Sequence, residues 1–513
     1  MPEAYLLGVD VGTYSSKGVL VTLAGEVVAS HVAPHEMDNP RPGHFEHDAD
    51  AVWWGDFVAI TRAILQKSGI DPGDILSIGT SAIGSCVLPI DAEGNPLRPG
   101  ILYGIDTRAV AEIETLQELV DTREIPGLEG LKLTSQASGP KILWIRNHEP
   151  AVFEKTRWFL TSQAYIVYQL TGVPSIDIYT AGGYAPLFRP NPPGWVAEMG
   201  DVIASLDTLP DFYWSHEVVG EVTPRAAEMT GLAAGTPVIA GTTDAAAEAV
   251  SAGLAEVGDL MIMFGSTIFF IQKTEKLIRP ERFWASNFLS EGTYAFLGGM
   301  SAAGSLTRWF LESFGQPEKQ AEEAGGPNAY AGLAELAGQS PPGARGLVAL
   351  PYFEGERTPL HDPKAQGLLF GLSLKHTRAD VYRAILESVA YGIRHNIEGM
   401  KAEGVTARRI LAVGGGTKNL PWMRIVSDVA GISLNIPEQQ IGASYGDAFM
   451  AGLGVGVFDG YQDISRWVKM EHVIPPREDH DAVYQFNYQL YLDLYEHNRE
   501  LMHRLSEYER SQP

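Results

Sequence analysis

Three short runs of apolar and β-branched residues open the chain, at 5–10, 17–23 and 26–33, with small or polar residues between them. Runs of this length and composition predict strands, the last two joined by a turn at "LAGE". From 47 to 65 the spacing changes. Val52, Trp53, Val58, Ile60 and Ile64 spread along one broad face, which predicts a helix, and Asp48 stands where its N-cap belongs. "ILSIGTS" (75–81) reads as a further strand, and "GPKILWIRNHEP" (139–150) as a short helix closed by Pro150. Up to about residue 250 strands and helices alternate, the pattern of an α/β layered domain.

Near "VSAGLAEVGDL" (250–260) the pattern restarts. "LMIMFGSTIFFIQK" (260–273) is again strand, small-residue turn, strand, and its Gly265-Ser266-Thr267 echoes Gly12-Thr13 of "GVDVGTYSSKGVLV" (8–21). "RILAVGGGTKN" (409–419) runs from a strand into a glycine-rich turn, and "ASYGDAFMAGLGVGVF" (443–458) is a small-residue helix. A helix over 380–393 carries Val381, Ile385, Val389 and Ile393 in one row, with Thr377 and Asp380 as its capping pair. The Gly-, Ala- and Pro-rich stretch 315–346 reads as a mobile surface excursion, and the tail beyond 459 as helical after "PPRED". The expected division is thus 1–250, 251–458 and a tail, 459–513. Two hairpin turns facing each other across a cleft would clamp a nucleotide, because backbone N–H groups in glycine-containing turns point at phosphate oxygens.

Composition removes several function classes. The apolar share of 45% and charged share of 20% are those of an ordinary globular protein. A net charge of -25 argues against nucleic-acid and anionic-membrane partners, though not against ATP, which responds to its local site. Cys86 is the single cysteine, so neither an intramolecular disulfide nor a Cys-rich zinc site is available. "MPEAYLLGVD" has no basic n-region, and the most apolar run (260–271) is too short to span a bilayer, so a soluble, cytoplasmic protein is expected.

Seven segments, in order, resemble the FGGY carbohydrate kinases, a family of the actin-like ATPase fold. They are "DVGTYSSK", "GHFEHDADAVWW", "SGPKILWIRNHEP", "LTGVPSIDIYTAGG", "GTPVIAGTTDAAAEAVSAG", "GLLFGLSLKHTRADVYRAILE" and "VGGGTKNLPWMRIVSDVAG". The sixth has Gly371, Asp380, Ala384 and Glu387 at the family's spacings. The resemblance implies two actin-like ATPase (ribonuclease H-like) α/β domains with a cleft between them. It also implies ATP and Mg²⁺ as cofactors and a small-molecule sugar as acceptor. Such domains close on both ligands to exclude water, so little ATP hydrolysis is expected without sugar.

The chemistry follows residue by residue. Asp244 ends the apolar strand "TPVIAGTTD", at the edge where α/β clefts open, and the resemblance makes it the general base. From position alone an Asp there reads first as a helix N-cap for "AAAEAV", and the two roles are compatible. Asp10 matches the family's phosphate-site acid, acting on Mg²⁺ through water, with Thr13 and Ser15 on the phosphates and Lys17 flanking the strand. Gly265, Ser266 and Thr267 correspond to the partner phosphate loop. Gly304, in "SAAGSLTRWF", and Gly415 with Asn419 match adenosine contacts, although Gly304 also suits close helix packing. Trp53 and Trp54 are read as core, His47 and His376 as surface or capping residues.

The sugar side departs from the family. Its xylulose kinases carry Gln-Met-His-Gly where this chain has Ile83-Gly84-Ser85-Cys86, and the Arg-Glu pair of glycerol kinases is absent. Gly84, Ser85 and Asp106 are the candidate sugar contacts beside Asp244, with Arg108 a lining or structural residue. Ala245 stands where many relatives carry Gln or Asn. A smaller, less polar wall implies changed specificity. The expected activity is a ketopentose kinase, xylulokinase-like. The alternatives are another sugar or polyol kinase (ribulose, glycerol-like) and a non-enzymatic actin-like ATP-binding protein. A homodimer is left open.

Overall fold

A computed structural model describes residues 4–438 and 441–511. The opening runs form an antiparallel meander of β1 (Tyr5–Val11), β2 (Ser15–Thr22) and β3 (Val27–Pro34). β4 (Ile75–Ala82) adds parallel to β1. β5 (Val218–Glu221), β6 (Pro237–Ile239) and the short β7 (Thr242–Thr243) complete a seven-stranded sheet in the order β5-β6-β4-β1-β2-β3, with β7 on β4. β1 is covered on both faces, and along it only Asp10 is partly open.

The second half repeats the plan. β8 (Asp259–Phe264) and β9 (Ile268–Thr274) form a hairpin extended by β10 (Trp284–Asn287) and β11 (Tyr294–Met300). β12 (Arg409–Val413) adds parallel to β8, as β4 does to β1, and is followed by β13 (Leu434–Pro437) and β14 (Met470–Ile474). The order is β10-β11-β9-β8-β12-β13-β14.

The helices that matter to the site are α1 (Gly55–Ser68), α2 (Asp244–Ser251), α3 (Gly304–Phe314), α4 (Arg378–Ala402), α5 (Leu420–Ala430), α6 (Ala443–Gly454) and α7 (Asp481–Ser511). α1 buries Phe57, Ile60 and Ile64 against the first sheet, while α4, α5 and α7 share the core of the second. α2 and α6 lie between the sheets. Ala246, Ala247 and Val250 of α2 and Phe449 and Met450 of α6 join Leu6 and Val19 of the first sheet and Met261 and Leu411 of the second in one cluster. The small residues of this layer permit its closeness. A Cβ added at Gly8 would stand 1.8 Å from the Ser444 carbonyl oxygen, and one at Gly79 2.1 Å from that of Asp447. α6 therefore packs on the sheet of the first half although it follows the second in sequence.

Several expectations change in detail. The stretch 315–346 folds into two short helices, Gln316–Glu323 and Ala329–Gly338. Leu333, Leu336 and Ala337, at helical spacing, are buried in the second core. Asp48 does cap, accepting from the Ala51 N–H at 2.9 Å, but the first turns are a wider π-helical segment, Ala49–Trp54. Trp53 and Trp54 are core. His47 is not at the surface. It is buried, accepts the Trp53 indole N–H at 3.1 Å, and burial holds its imidazole down near a pKa of about 4, neutral at physiological pH. Thr377 and Asp380 form the capping box of α4.

Candidate active site

The turn between β1 and β2 is tight. Gly12 N–H donates to the Ser15 carbonyl at 3.1 Å, and a Cβ on Gly12 would stand 2.7 Å from that oxygen. His35 braces it from below. Its Nε2 lies 3.1 Å from the Gly12 carbonyl oxygen and its Nδ1 2.7 Å from Asp56, which also accepts from Ser16 at 2.6 Å. Ser15 is exposed, and the Thr13 hydroxyl meets that of Tyr103 at 3.2 Å. Tyr103 is itself placed by Lys141, a buried ammonium that donates to the Leu102 and Tyr103 carbonyls at 2.8 Å each.

Across the cleft, Gly265, Ser266 and Thr267 link β8 to β9 and are exposed. The start of α3 is latched onto them. The Ser266 carbonyl accepts from Ala303 N–H (2.9 Å), Ser305 N–H (3.1 Å) and the Ser305 hydroxyl (3.0 Å), and the Gly265 carbonyl accepts from Gly304 N–H (3.1 Å). A Cβ on Gly304 would come within 2.5 Å of the Gly265 carbonyl oxygen, so this glycine permits the contact. At the end of β12, Gly414 has a φ of 91° and its added Cβ would lie 2.7 Å from the Phe264 carbonyl oxygen. Gly415 fronts open space, and Asn419 caps α5 by accepting from Trp422 N–H at 3.0 Å. Phe264, just ahead of Gly265, thus ties the 414–419 turn to the second hairpin.

The carboxylates gather on the opposite side of this opening. Asp244 follows β7 as the first residue of α2, where the positive end of a helix favours an anion. One oxygen accepts the Ala245 N–H at 2.7 Å, yet burial wins and raises its pKa to about 6. Asp10 is pushed well above the usual carboxylate range by burial and by the charge of Asp244, while Ser81 holds one of its oxygens at 2.9 Å. Glu248, one turn along α2, is raised to about 7 by burial and Asp244. Lys17 opposes both shifts, and its ammonium donates to the Ile441 carbonyl, a firmer tie than flanking the strand.

Beneath Asp10 lies a carboxyl that sequence reading did not single out. Ser81 Oγ is 2.7 Å from Asp447 on α6 as well as 2.9 Å from Asp10, and Asp447 is fully buried. The Ser81 hydroxyl donates between the two carboxyls, and burial and the charge of Asp10 push the Asp447 carboxyl well above the usual carboxylate range. The signal was a lone acid inside the small-residue helix "ASYGDAFMAGLG".

On the sugar side, a Cβ on Gly84 would stand 2.2 Å from Thr243, the residue before Asp244. Ser85 donates to the Thr180 carbonyl at 3.2 Å and lies against Gly183. Gly84 therefore adjoins the residue that precedes the acid, while Ser85 faces the 180–183 segment. Asp106 does not share their setting. It is fully buried, and its carboxylate accepts from Phe45 N–H (2.7 Å) and from Arg108 Nε (3.0 Å) and Nη2 (2.8 Å). Arg108 also reaches Glu46 at 2.8 Å and lies 5.0 Å over the Trp144 ring. The Asp-Arg pair of "YGIDTRA" thus takes the structural one of its two expected roles, tying 43–47 to 103–108.

Duplicated sheets with two hairpin turns opening on one carboxylate-lined cleft make this a two-domain α/β protein of the actin-like ATPase fold. The chain belongs to the FGGY family of carbohydrate kinases, whose N-terminal domain matches residues 5–251 and whose C-terminal domain matches 260–455. It is accordingly a phosphotransferase with ATP as co-substrate and a sugar hydroxyl as acceptor. The crystal structure of a xylulose kinase from Rhodospirillum rubrum superimposes with a TM-score of 0.89 at 31% identity, covering 97% of this chain and 100% of the other. A xylulose kinase of Staphylococcus epidermidis is 27% identical over 506 residues, 98% of each chain. A ribulokinase of Geobacillus thermodenitrificans is 28% identical over 540 residues, 97% of this chain and 95% of its own. Among the described residues no helix is long and apolar enough to cross a membrane.

Proposed function

We propose that this kinase phosphorylates a ketopentose, xylulose before ribulose, with Asp244 as the base that takes the acceptor hydroxyl's proton. The observation that carries the reading is Asp244 itself, a half-buried carboxyl at a strand end, beside the small Gly84–Ser85 wall. A pKa near 6 leaves it ionised at neutral pH yet more basic than an ordinary aspartate. Xylulose kinases at 27% and 31% and a ribulokinase at 28% resemble the chain about equally, so their shared substrate class supports the assignment better than either sugar.

The sugar hydroxyl loses its proton to Asp244 as its oxygen attacks the γ-phosphorus, and the bond to the β-phosphate oxygen breaks to release ADP. Thr13 and Ser15 and the N–H groups of Ser266 and Thr267 receive the phosphate oxygens, with Gly265 shaping that turn through its own N–H on the Thr267 carbonyl at 3.0 Å, while Gly304, Gly415 and Asn419 frame the adenosine side. Asp10 would hold Mg²⁺ through water. The donor set fits: Asp10 and Glu248 each feel the negative charge of Asp244, offset by Lys17, so a cation is favoured beside Asp10. No cluster of three or more His, Cys, Asp or Glu forms a protein cage among the described residues, so a site shared with phosphate oxygens and waters suits the ion. Bound there, Mg²⁺ would neutralise phosphate charge.

Ser85, where the family's xylulose kinases carry histidine, and Ala245 make the wall less polar and favour a second reading, a bulkier or differently oriented sugar. ADP release with Mg-ATP across ketopentoses, ketohexoses, aldoses and polyols decides between them. The expected result is a kcat/KM at least about tenfold higher for a ketopentose, the discrimination one lost polar contact of about 1.4 kcal/mol produces. A ketohexose or polyol as best substrate would overturn the ketopentose assignment.

A further inference from the structure

Arg357 reaches the cleft from the C-terminal domain. Its Nη2 donates to the Met300 carbonyl, at the end of β11, at 2.7 Å. Nε and Nη1 have no hydrogen-bond partner among the described residues, and the residue is only partly buried, so these donors are not used by the protein. A Cβ added to Gly299 would stand 3.2 Å from the guanidinium carbon and 3.1 Å from the carbonyl oxygen of Ile268, the residue after Thr267. The guanidinium therefore lies alongside the second phosphate turn.

The backbone around it is pinned to the same place. Glu356, buried, accepts from Ser301 N–H at 2.9 Å and Arg357 N–H at 2.7 Å, and Thr358 Oγ1 accepts from Gly299 N–H at 2.8 Å. Ser301 begins the segment whose Ala303 and Gly304 latch onto Ser266 and Gly265. On the opposite wall stands Tyr103, close enough that its charge state and that of Arg357 influence each other, with its hydroxyl on Thr13 of the first turn. Lys17, the cation of the first hairpin, is tied to the Ile441 carbonyl. A fixed cation with unused donors thus stands between two turns that supply only neutral ones.

We propose that Arg357 binds a non-bridging oxygen of the γ-phosphoryl group while it passes from ATP to the sugar. This deepens the reading of the cleft as a sugar-kinase site and rests on it. The guanidinium neither gains nor loses a proton. It meets the charge spread over the phosphoryl oxygens as the new P–O bond forms and the old one breaks, the electron pair leaving on ADP and the proton going to Asp244.

The test uses the full chain with Mg-ATP and its best sugar, in Arg357→Gln and Arg357→Lys. The Gln variant is expected to lose about 10²–10³-fold in kcat, with KM for both substrates nearly unchanged, and to regain part of it from added guanidinium ion but not from sodium at equal ionic strength. The Lys variant is expected to fall between the two. A Gln variant with kcat within about threefold of wild type would overturn the proposal. So would a loss without guanidinium rescue that tracks a fallen melting temperature, or failure of both variants to fold, since Arg357 would then serve only to hold Met300. Sugar-dependent transfer by the wild type that disappears in Asp244→Asn, beside an unaffected Arg357→Gln, would sink this proposal alone. No transfer by the wild type would remove the underlying reading with it.

Discussion

Asp244→Asn is expected to lower sugar-dependent ADP formation by about 10²–10⁴-fold while making the protein more resistant to heat at neutral pH. The activity half follows from removing the carboxylate proposed to accept the hydroxyl proton. The stability half follows from the sign of the shift. Burial raises the folded-state pKa to about 6, above the ordinary aspartate value. The folded protein then keeps its proton over a range where the unfolded chain has lost it. Stability is fully present below about pH 4 and falls as pH rises through about 6. At pH 7.5 an ionised Asp244 costs up to about 3 kcal/mol, at about 1.4 kcal/mol per pH unit, and Asn removes that cost. The same titration runs the other way for catalysis, since only the ionised form is a base. In the wild type kcat/KM for the sugar should climb with pH up to about 6 and level off above it. A melt at pH 7.5 and a pH–rate profile check both halves; an Asn variant within about fivefold of wild-type activity would refute the role.

Gly8→Ala is expected to be the most damaging single methyl in the fold. The added Cβ would meet the Ser444 carbonyl oxygen at 1.8 Å and the Ala448 nitrogen at 2.6 Å, and both are backbone of a helix wedged between two sheets. Neither can swing aside as a side chain would, so β1 and α6 must part. Overpacking of this kind costs about 1–3 kcal/mol and more where the backbone cannot give. It should also cost activity, because α6 carries Asp447 and the separation loosens the Asp447–Ser81–Asp10 contacts of 2.7 and 2.9 Å. Gly338→Ala is the control. It ends a short helix with nothing within 4 Å of its added Cβ and should be neutral or slightly stabilising. Urea midpoints for the two variants would decide the matter, and an unshifted midpoint for Gly8→Ala would contradict the close approach.

What could be read from the chain was local. Asp10, Gly12 and Thr13 between two apolar runs, and Gly265-Ser266-Thr267 in the second copy, announced two strand-turn-strand units, and β1–β2 and β8–β9 are those units. Asp244 stood out because an apolar strand ended on it. Asp48, Thr377 and Asp380 were legible as caps because capping depends on near neighbours. The misses share a cause: hydrophobic periodicity reports which face is buried, not what it is buried against. The 443–458 segment follows the second half in sequence, so nothing local says that its small residues meet Gly8 and Gly79 of the first sheet. Asp447 was hidden for the same reason. His47 and Asp106 read as surface or pocket residues because their partners, Trp53 and the Arg108–Glu46 pair, bury polar groups that only the folded arrangement satisfies. The stretch 315–346 looked loose because Gly, Ala and Pro dominate it, yet three apolar residues at helical spacing anchor it.

The central claim is that this cleft passes a phosphoryl group from ATP to a sugar hydroxyl rather than to water. Phosphorus NMR of the wild-type protein with Mg-ATP and D-xylulose, followed in real time, tests it directly. The account predicts a phosphomonoester resonance growing mole for mole with ADP, with little inorganic phosphate. ADP accompanied only by inorganic phosphate, with xylulose and with every other sugar and polyol in the panel, would contradict it.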